Sequence, residues 1–312
     1  MTRAFVFPGQ GAQAIGMGKS VAEAYPAAKA VFDEVDEALG EKLSALIWEG
    51  DKAELTLTQN AQPALMATSI AVFRALEAEG VTLEAASFVA GHSLGEYSAL
   101  AAAGALSLAD TARLLRQRGA AMQAAVPVGE GAMAALLGLD FATAAEVASE
   151  AAHDQVCQAA NDNDPGQVVV SGHREAVERA VEIAKGKGAR RAVLLPVSAP
   201  FHCALMQPAA EAMAEALSHV DIQRPAVPLV ANVRAAAISD PTTIRSLLVE
   251  QVTGSVRWRE SVQFMAGEGV NEIWEIGAGK ALSGMIRRID RAVATRNMES
   301  AEEVKAAAET LA

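Results

Sequence analysis

The chain has 312 residues, 51% of them hydrophobic, which is enough to bury a large core and too apolar for a disordered polypeptide. A formal net charge of −12 argues against a nucleic-acid-binding role, which needs a basic face. No apolar run is long enough to span a bilayer, the first residues are too few in apolar side chains for a signal peptide, and Cys157 and Cys203 show neither a disulfide nor a metal-ligand pattern. The expectation is a cytoplasmic protein that binds no metal, no nucleic acid and no membrane.

In chain order, residues 4–7 read as a short buried strand stopped by Pro8-Gly9. A glycine-rich loop over 11–18 leads to a helix predicted over 21–39. Leu65, Ile70, Phe73 and Leu76 recur near helical spacing in a second helix, 62–79. A strand over 88–90 ends at Gly91, a helix follows Gly95 to residue 103, and another runs over 110–125 with Ser107 as its cap. Composition shifts at 127–131. Beyond it come a strand (132–139), a helix (141–152), two strands (156–160 and 167–171), a helix (174–187) and a strand (190–196). That βαββαβ order is the split βαβ of a ferredoxin-like unit. A helix over 208–217 and strands over 227–232 and 272–276 return the chain to the first unit. The predicted fold class is α/β: a hydrolase-like, parallel-sheet large subdomain (1–126 and 197–312) with an inserted ferredoxin-like small subdomain (127–196).

Gly91-His92-Ser93-Leu94-Gly95 lies between a predicted strand and a predicted helix. A G-x-S-x-G sequence in that setting forms a tight strand-to-helix turn that lifts the serine hydroxyl above the sheet. Flanking Cβ atoms would clash there, and the amides at the helix start point at the reacting oxygen. The same pentapeptide also suits an ordinary turn with a buried serine. A nucleophilic serine needs a base. Of five histidines, His92 is adjacent to Ser93 and points elsewhere, and His153, His173 and His219 sit among charged residues. His202 lies in the apolar stretch Val197-Ser198-Ala199-Pro200-Phe201-His202-Cys203. A hydrolase built on this elbow would need an acidic residue between serine and histidine, and Asp162 and Asp164 fall there in a polar loop. A non-catalytic binding module is the alternative from another class.

Phe7-Pro8-Gly9-Gln10-Gly11-Ala12-Gln13, Gly91 to Ala99, Arg118-Gly119, Asn161 to Val169, Phe201-His202, Gln251 and Glu275-Ile276-Gly277 occur in an order and spacing that resemble the malonyl-CoA:acyl carrier protein transacylases of type II fatty-acid synthesis. They are similar as well to the acyltransferase domains of fatty-acid and polyketide synthases. The likeness covers essentially the whole chain. It implies Ser93 as nucleophile and His202 as base, held by the backbone carbonyl of Gln251 rather than by a carboxylate. It also implies an oxyanion hole from the Gln10 and Leu94 amides. Arg118 would pair with the free carboxylate of malonate, a planar bidentate match that lysine lacks. Asn161, Asn163 and Phe201 would touch substrate, and the Phe201 ring would disfavour an α-methyl branch. Ala278 departs from a position where proline is frequent. The implied partners are malonyl-CoA and holo acyl carrier protein, with a coenzyme A thioester as substrate and no tightly bound cofactor. Two basic clusters, Lys185/Lys187/Arg190/Arg191 and Arg287/Arg288, are candidates to meet the acidic carrier.

Overall fold

The computed structural model describes residues 2–310. Its strands in chain order are β1 (Arg3–Phe7), β2 (Phe88–Gly91), β3 (Gly131–Leu137), β4 (Cys157–Asp164), β5 (Gln167–His173), β6 (Arg191–Leu194), β7 (Leu229–Ala231), β8 (Ala236–Ile238), β9 (Glu272–Ile276) and β10 (Ala294–Met298). One sheet has the order β10-β9-β1-β2-β7-β8, parallel except for the terminal β8 hairpin strand. β1 is central and covered on both faces, which is why it reads as an unbroken apolar run rather than an alternating one. Phe5 stacks on Trp274 of β9 across the ladder, with ring centroids 5.6 Å apart.

Helix Thr58–Ala78 is buried almost all round and forms the middle of the main core. It starts before the expected Gln62 and carries Pro63 inside. Proline has no N–H to give the Gln59 carbonyl. That carbonyl instead accepts from Arg116 Nη1 at 2.9 Å, so the helix continues. The helix expected over 21–39 is two, Lys19–Ala24 and Pro26–Leu39. Pro26 holds Tyr25 extended (φ −127°, ψ 115°), which ends the first helix and starts the second.

The second sheet is antiparallel with the order β4-β5-β3-β6, the ferredoxin-like arrangement its sequence order implied. Helices Phe141–Ala152 and Arg174–Gly186 cover one face over a separate apolar core that includes Leu136, Val147, Val168 and Val177. β4 corrects the expected polar loop: the strand runs on through Asn161-Asp162-Asn163-Asp164. The two aspartates are buried against cations of the main unit, Asp162 on Arg259 at 2.8 Å and Asp164 on Arg288 at 2.7 Å. Backbone bonds from Asp162 N to Val256 O (2.9 Å) and from Val256 N to Ala160 O (2.8 Å) complete the seam. Thus the tip of β4 is fixed to the large unit beside the elbow.

Candidate active site

β2 ends at Gly91 and helix Gly95–Ala102 begins four residues later, so the chain must reverse within His92-Ser93-Leu94. Ser93 takes φ 54°, a left-handed backbone that a non-glycine residue adopts only under constraint. A Cβ on Gly91 would lie 1.9 Å from the Gly95 carbonyl carbon, and one on Gly95 would lie 2.2 Å from Phe7 O. Only glycine fits at either place. Asn232, at the end of β7, holds the turn from outside: its Oδ1 accepts from Ser93 N at 2.8 Å and its Nδ2 donates to Gly91 O at 2.7 Å.

Ser93 Oγ lies 2.8 Å from His202 Nε2, and His202 Nδ1 lies 2.9 Å from the backbone oxygen of Gln251. A carbonyl can only accept, so the proton is on Nδ1 and the Nε2 lone pair faces the serine hydroxyl. Burial, and secondly the positive charge of Arg118, push the imidazole down to about 3. The imidazole is therefore neutral near pH 7 and able to accept a proton at Nε2.

Arg118 comes from helix Leu108–Ala124 and is 1% exposed. Its Nη1 donates to Gln62 Oε1 (2.7 Å), and its Nη2 to Gln251 Oε1 (2.8 Å) and to Ser93 Oγ (3.2 Å). Its carbon lies 5.7 Å from the centre of the Tyr97 ring. Among the described residues no carboxylate forms an ion pair with it. A buried guanidinium beside a serine oxygen, with no carboxylate in direct contact, has the chemistry to receive an anionic group. A chain of side chains runs from it to the first loop: Gln62 Nε2 donates to Thr58 Oγ1 and Thr58 Oγ1 donates to Gln10 Oε1, both at 2.9 Å.

Gly9 lets that loop lie against the elbow, since a Cβ there would be 2.6 Å from His92 O. Neither the Gln10 nor the Leu94 N–H donates to a protein acceptor among the described residues. Both amides are thereby available to an oxyanion. Phe201 is buried directly before His202, which itself has φ 59°.

The amides of Asn161 and Asn163 reach His92: Asn163 Oδ1 is 2.9 Å and Asn161 Nδ2 is 3.4 Å from its Nε2, and Trp258 packs on the imidazole. They buttress the elbow from β4. The acidic residues that a hydrolase would need are elsewhere, since Asp162 and Asp164 hold arginines and His202 Nδ1 faces the Gln251 carbonyl. Arg288 is engaged by Asp164, and Lys185 and Lys187 by Glu182, Glu146 and Glu150, so both basic clusters are partly neutralised. Three site residues had no role in the sequence reading. Asn232 and Gln62 reach the elbow and Arg118 only through the fold. Glu96 directly follows the elbow motif and is buried against Gln251.

Comparison with known proteins gives a consistent result. Residues 4–304 match the acyl transferase domain family. A curated relative, the malonyl CoA-acyl carrier protein transacylase of Bacillus subtilis (strain 168), is 50% identical over 309 residues, covering 99% of this chain and 96% of its own. The crystal structure of acyl-carrier-protein-S-malonyltransferase from Bartonella henselae superposes with a TM-score of 0.97 at 59% identity, over 100% of this chain and 99% of that one. A type II PKS acyl-carrier protein in complex with its malonyl-transacylase gives 0.96 at 41% identity, over 99% and 100% of the chains.

Proposed function

The chain belongs to the acyl transferase domain family, and on that premise we propose that it transfers malonyl from malonyl-CoA to the phosphopantetheine thiol of holo acyl carrier protein through an ester on Ser93, supplying fatty-acid synthesis. The observation that carries this reading is the convergence on one serine oxygen of a neutral base at 2.8 Å and a buried guanidinium at 3.2 Å.

Ser93 Oγ attacks the thioester carbonyl while its proton passes to His202 Nε2. The oxyanion is received by the Gln10 and Leu94 amides. Collapse breaks the C–S bond, the Nε2 proton goes to the departing sulfur, and free coenzyme A leaves a malonyl-serine ester. The carrier thiol then gives its proton to Nε2 as its sulfur attacks the ester carbon; collapse breaks the bond between that carbon and Ser93 Oγ, and the Nε2 proton returns to Oγ. Throughout, the Gln251 carbonyl accepts from Nδ1–H and keeps the imidazole in register. Arg118 holds the malonyl carboxylate, and the buried Phe201 ring leaves room for malonyl rather than an α-methyl branch. The substrate is a coenzyme A thioester, and the route requires no tightly bound cofactor.

The subdomain division that accompanies this reading is 1–126 with 197–312 and, separately, 127–196, supported by the separate core of the antiparallel sheet. The cytoplasm as site of action is supported by two free, buried thiols, Cys157 and Cys203. Among the described residues no helix is long and apolar enough to cross a membrane.

The test is the intact mass of the protein mixed with malonyl-CoA, then with holo carrier protein. A malonyl adduct that is absent in Ser93→Ala and passes to the carrier is the expected result. Release of free coenzyme A without an adduct would replace the reading with a thioesterase.

A further inference from the structure

Glu96 is a buried carboxyl that no step above uses. Its Oε2 accepts from Gln251 Nε2 at 2.8 Å and from Asn232 N at 3.1 Å, while its Oε1 is buried without a partner. The same Gln251 side chain turns its Oε1 to Arg118 Nη2 at 2.8 Å, and its Nε2 also donates to Ser93 O at 3.0 Å. One amide thus stands between the buried anion and the buried cation, with donor and acceptor ends each facing the matching group. Reversing it would set Nε2 against Arg118 and Oε1 against a carboxylate, which is repulsive at both ends.

We propose that Glu96 is a positioning residue for acyl transfer: it locks the Gln251 side chain and, through it, serves as counter-charge to Arg118 until the carboxylate of the acyl group takes that place. This inference rests on the transacylase reading. The charged or titratable groups facing Glu96 are Arg118 from helix Leu108–Ala124 and Tyr97 of its own helix. Helix Pro241–Thr253 presents the neutral Gln251 side chain, and the end of β7 presents the neutral Asn232 amide. Burial lifts the carboxyl to about 7, opposed by Gln251, the Asn232 amide and Arg118. Near neutrality it is therefore poised between its two forms. A malonyl carboxylate on Arg118 adds a like charge nearby and cancels the guanidinium's help, so Glu96 takes up a proton as malonyl is captured. By linkage, malonyl capture weakens as pH rises through this range, whereas acetyl, which brings no charge, does not share the effect.

The experiment is calorimetric titration of the wild-type protein with malonyl-CoA and with acetyl-CoA at pH 7, in two buffers of different ionisation enthalpy, with intact mass taken on the same samples. Greater proton uptake with malonyl-CoA than with acetyl-CoA is expected. Equal uptake in samples that carry the malonyl adduct overturns the inference; absence of the adduct overturns the transacylase reading instead. Glu96→Gln keeps an acceptor for Gln251 and Asn232 and removes the charge. It should abolish the difference in uptake and raise the malonyl-to-acetyl loading ratio roughly fivefold or more. Glu96→Ala, which also frees the Gln251 amide, should slow loading of both donors. An unchanged ratio in folded Glu96→Gln also overturns the inference, and the wild-type calorimetry decides the matter where that variant does not fold.

Discussion

Ser93 and His202 face each other at 2.8 Å from two left-handed backbones, φ 54° and φ 59°. Each such conformation costs on the order of 1–3 kcal/mol and persists only where neighbours over-determine it. For Ser93 the neighbour is Asn232, which bonds the turn on both sides. Asn232→Ala removes both bonds and should lower stability by roughly 1–3 kcal/mol. It should also slow loading of Ser93 by about 10²-fold, because a misplaced nucleophile loses much of its proximity advantage. Thermal melting and rapid-quench measurement of the adduct read the two effects separately. Wild-type loading in the variant would show that the elbow holds its shape unaided.

Arg118 makes its strongest contacts with neutral acceptors, Gln62 and Gln251. Its charge is thus left for a ligand carboxylate. Arg118→Ala should reduce malonyl loading on the order of 10²–10³-fold, as for loss of one partner of a desolvated charge pair. Acetyl loading should change far less. Arg118→Lys should rescue little, since an ammonium cannot span Gln62, Gln251 and a carboxylate in one plane. Competition between the two donors, scored by mass, measures the ratio directly. Equal losses for both donors would mean that Arg118 acts on the fold and not on the acyl group.

The pH behaviour follows from His202. Its folded value, about 3, lies below its usual 6.5, with burial the main cause and Arg118 the second. Below 6.5 the unfolded chain binds a proton at this position that the native state refuses, so native stability falls as pH drops from 6.5 towards 3. The loss should be on the order of a few kcal/mol over that interval. His202→Gln, which cannot titrate, should flatten that part of the curve. The base itself stays neutral, so acetyl loading should keep its rate down to about pH 5 while the protein remains folded. A fall in the acetyl rate centred near pH 6.5 would place His202 in a solvated, ordinary environment.

Of the candidate site, only the elbow is written locally, in a strand, two glycines and a helix start around Ser93. His202, Arg118 and Gln251 were singled out by the family resemblance alone, and the fold brings them to the same serine. What supports them was not legible. Asn232 lies 139 residues from Ser93, and only the pairing of β7 with β2 brings it to the turn. Glu96 stood in plain view, but its role depends on the Gln251 amide, 155 residues away. The polar run 161–164 suggested a loop because Asn and Asp are poor strand formers. Arg259, Arg288 and His92 supply the tertiary partners that reverse that preference. The break at Pro26, by contrast, was available as a local signal that the apolar periodicity over 21–39 concealed.

The aspartates of β4 separate the two chemistries a serine–histidine pair can serve. Asp162 is buried, with Arg259 Nε at 3.0 Å from both its oxygens, and it joins the antiparallel sheet to helix Trp258–Gly267. In a hydrolase with an acidic triad member, neutralising that residue would remove the support of the imidazole and most of the rate. Here His202 is supported by a backbone carbonyl, which no substitution of Asp162 removes. Asp162→Asn should therefore lower the melting temperature, through loss of a charge-assisted contact of roughly 1.5–3 kcal/mol. It should leave loading of Ser93 within about threefold of wild type, the size of a small positional disturbance and far from the loss of a catalytic group. Asp164→Asn should behave alike and more mildly, because its partner Arg288 is half exposed. Loss of loading by orders of magnitude in a folded Asp162→Asn protein would return the carboxylate to the catalytic machinery and with it the hydrolase reading.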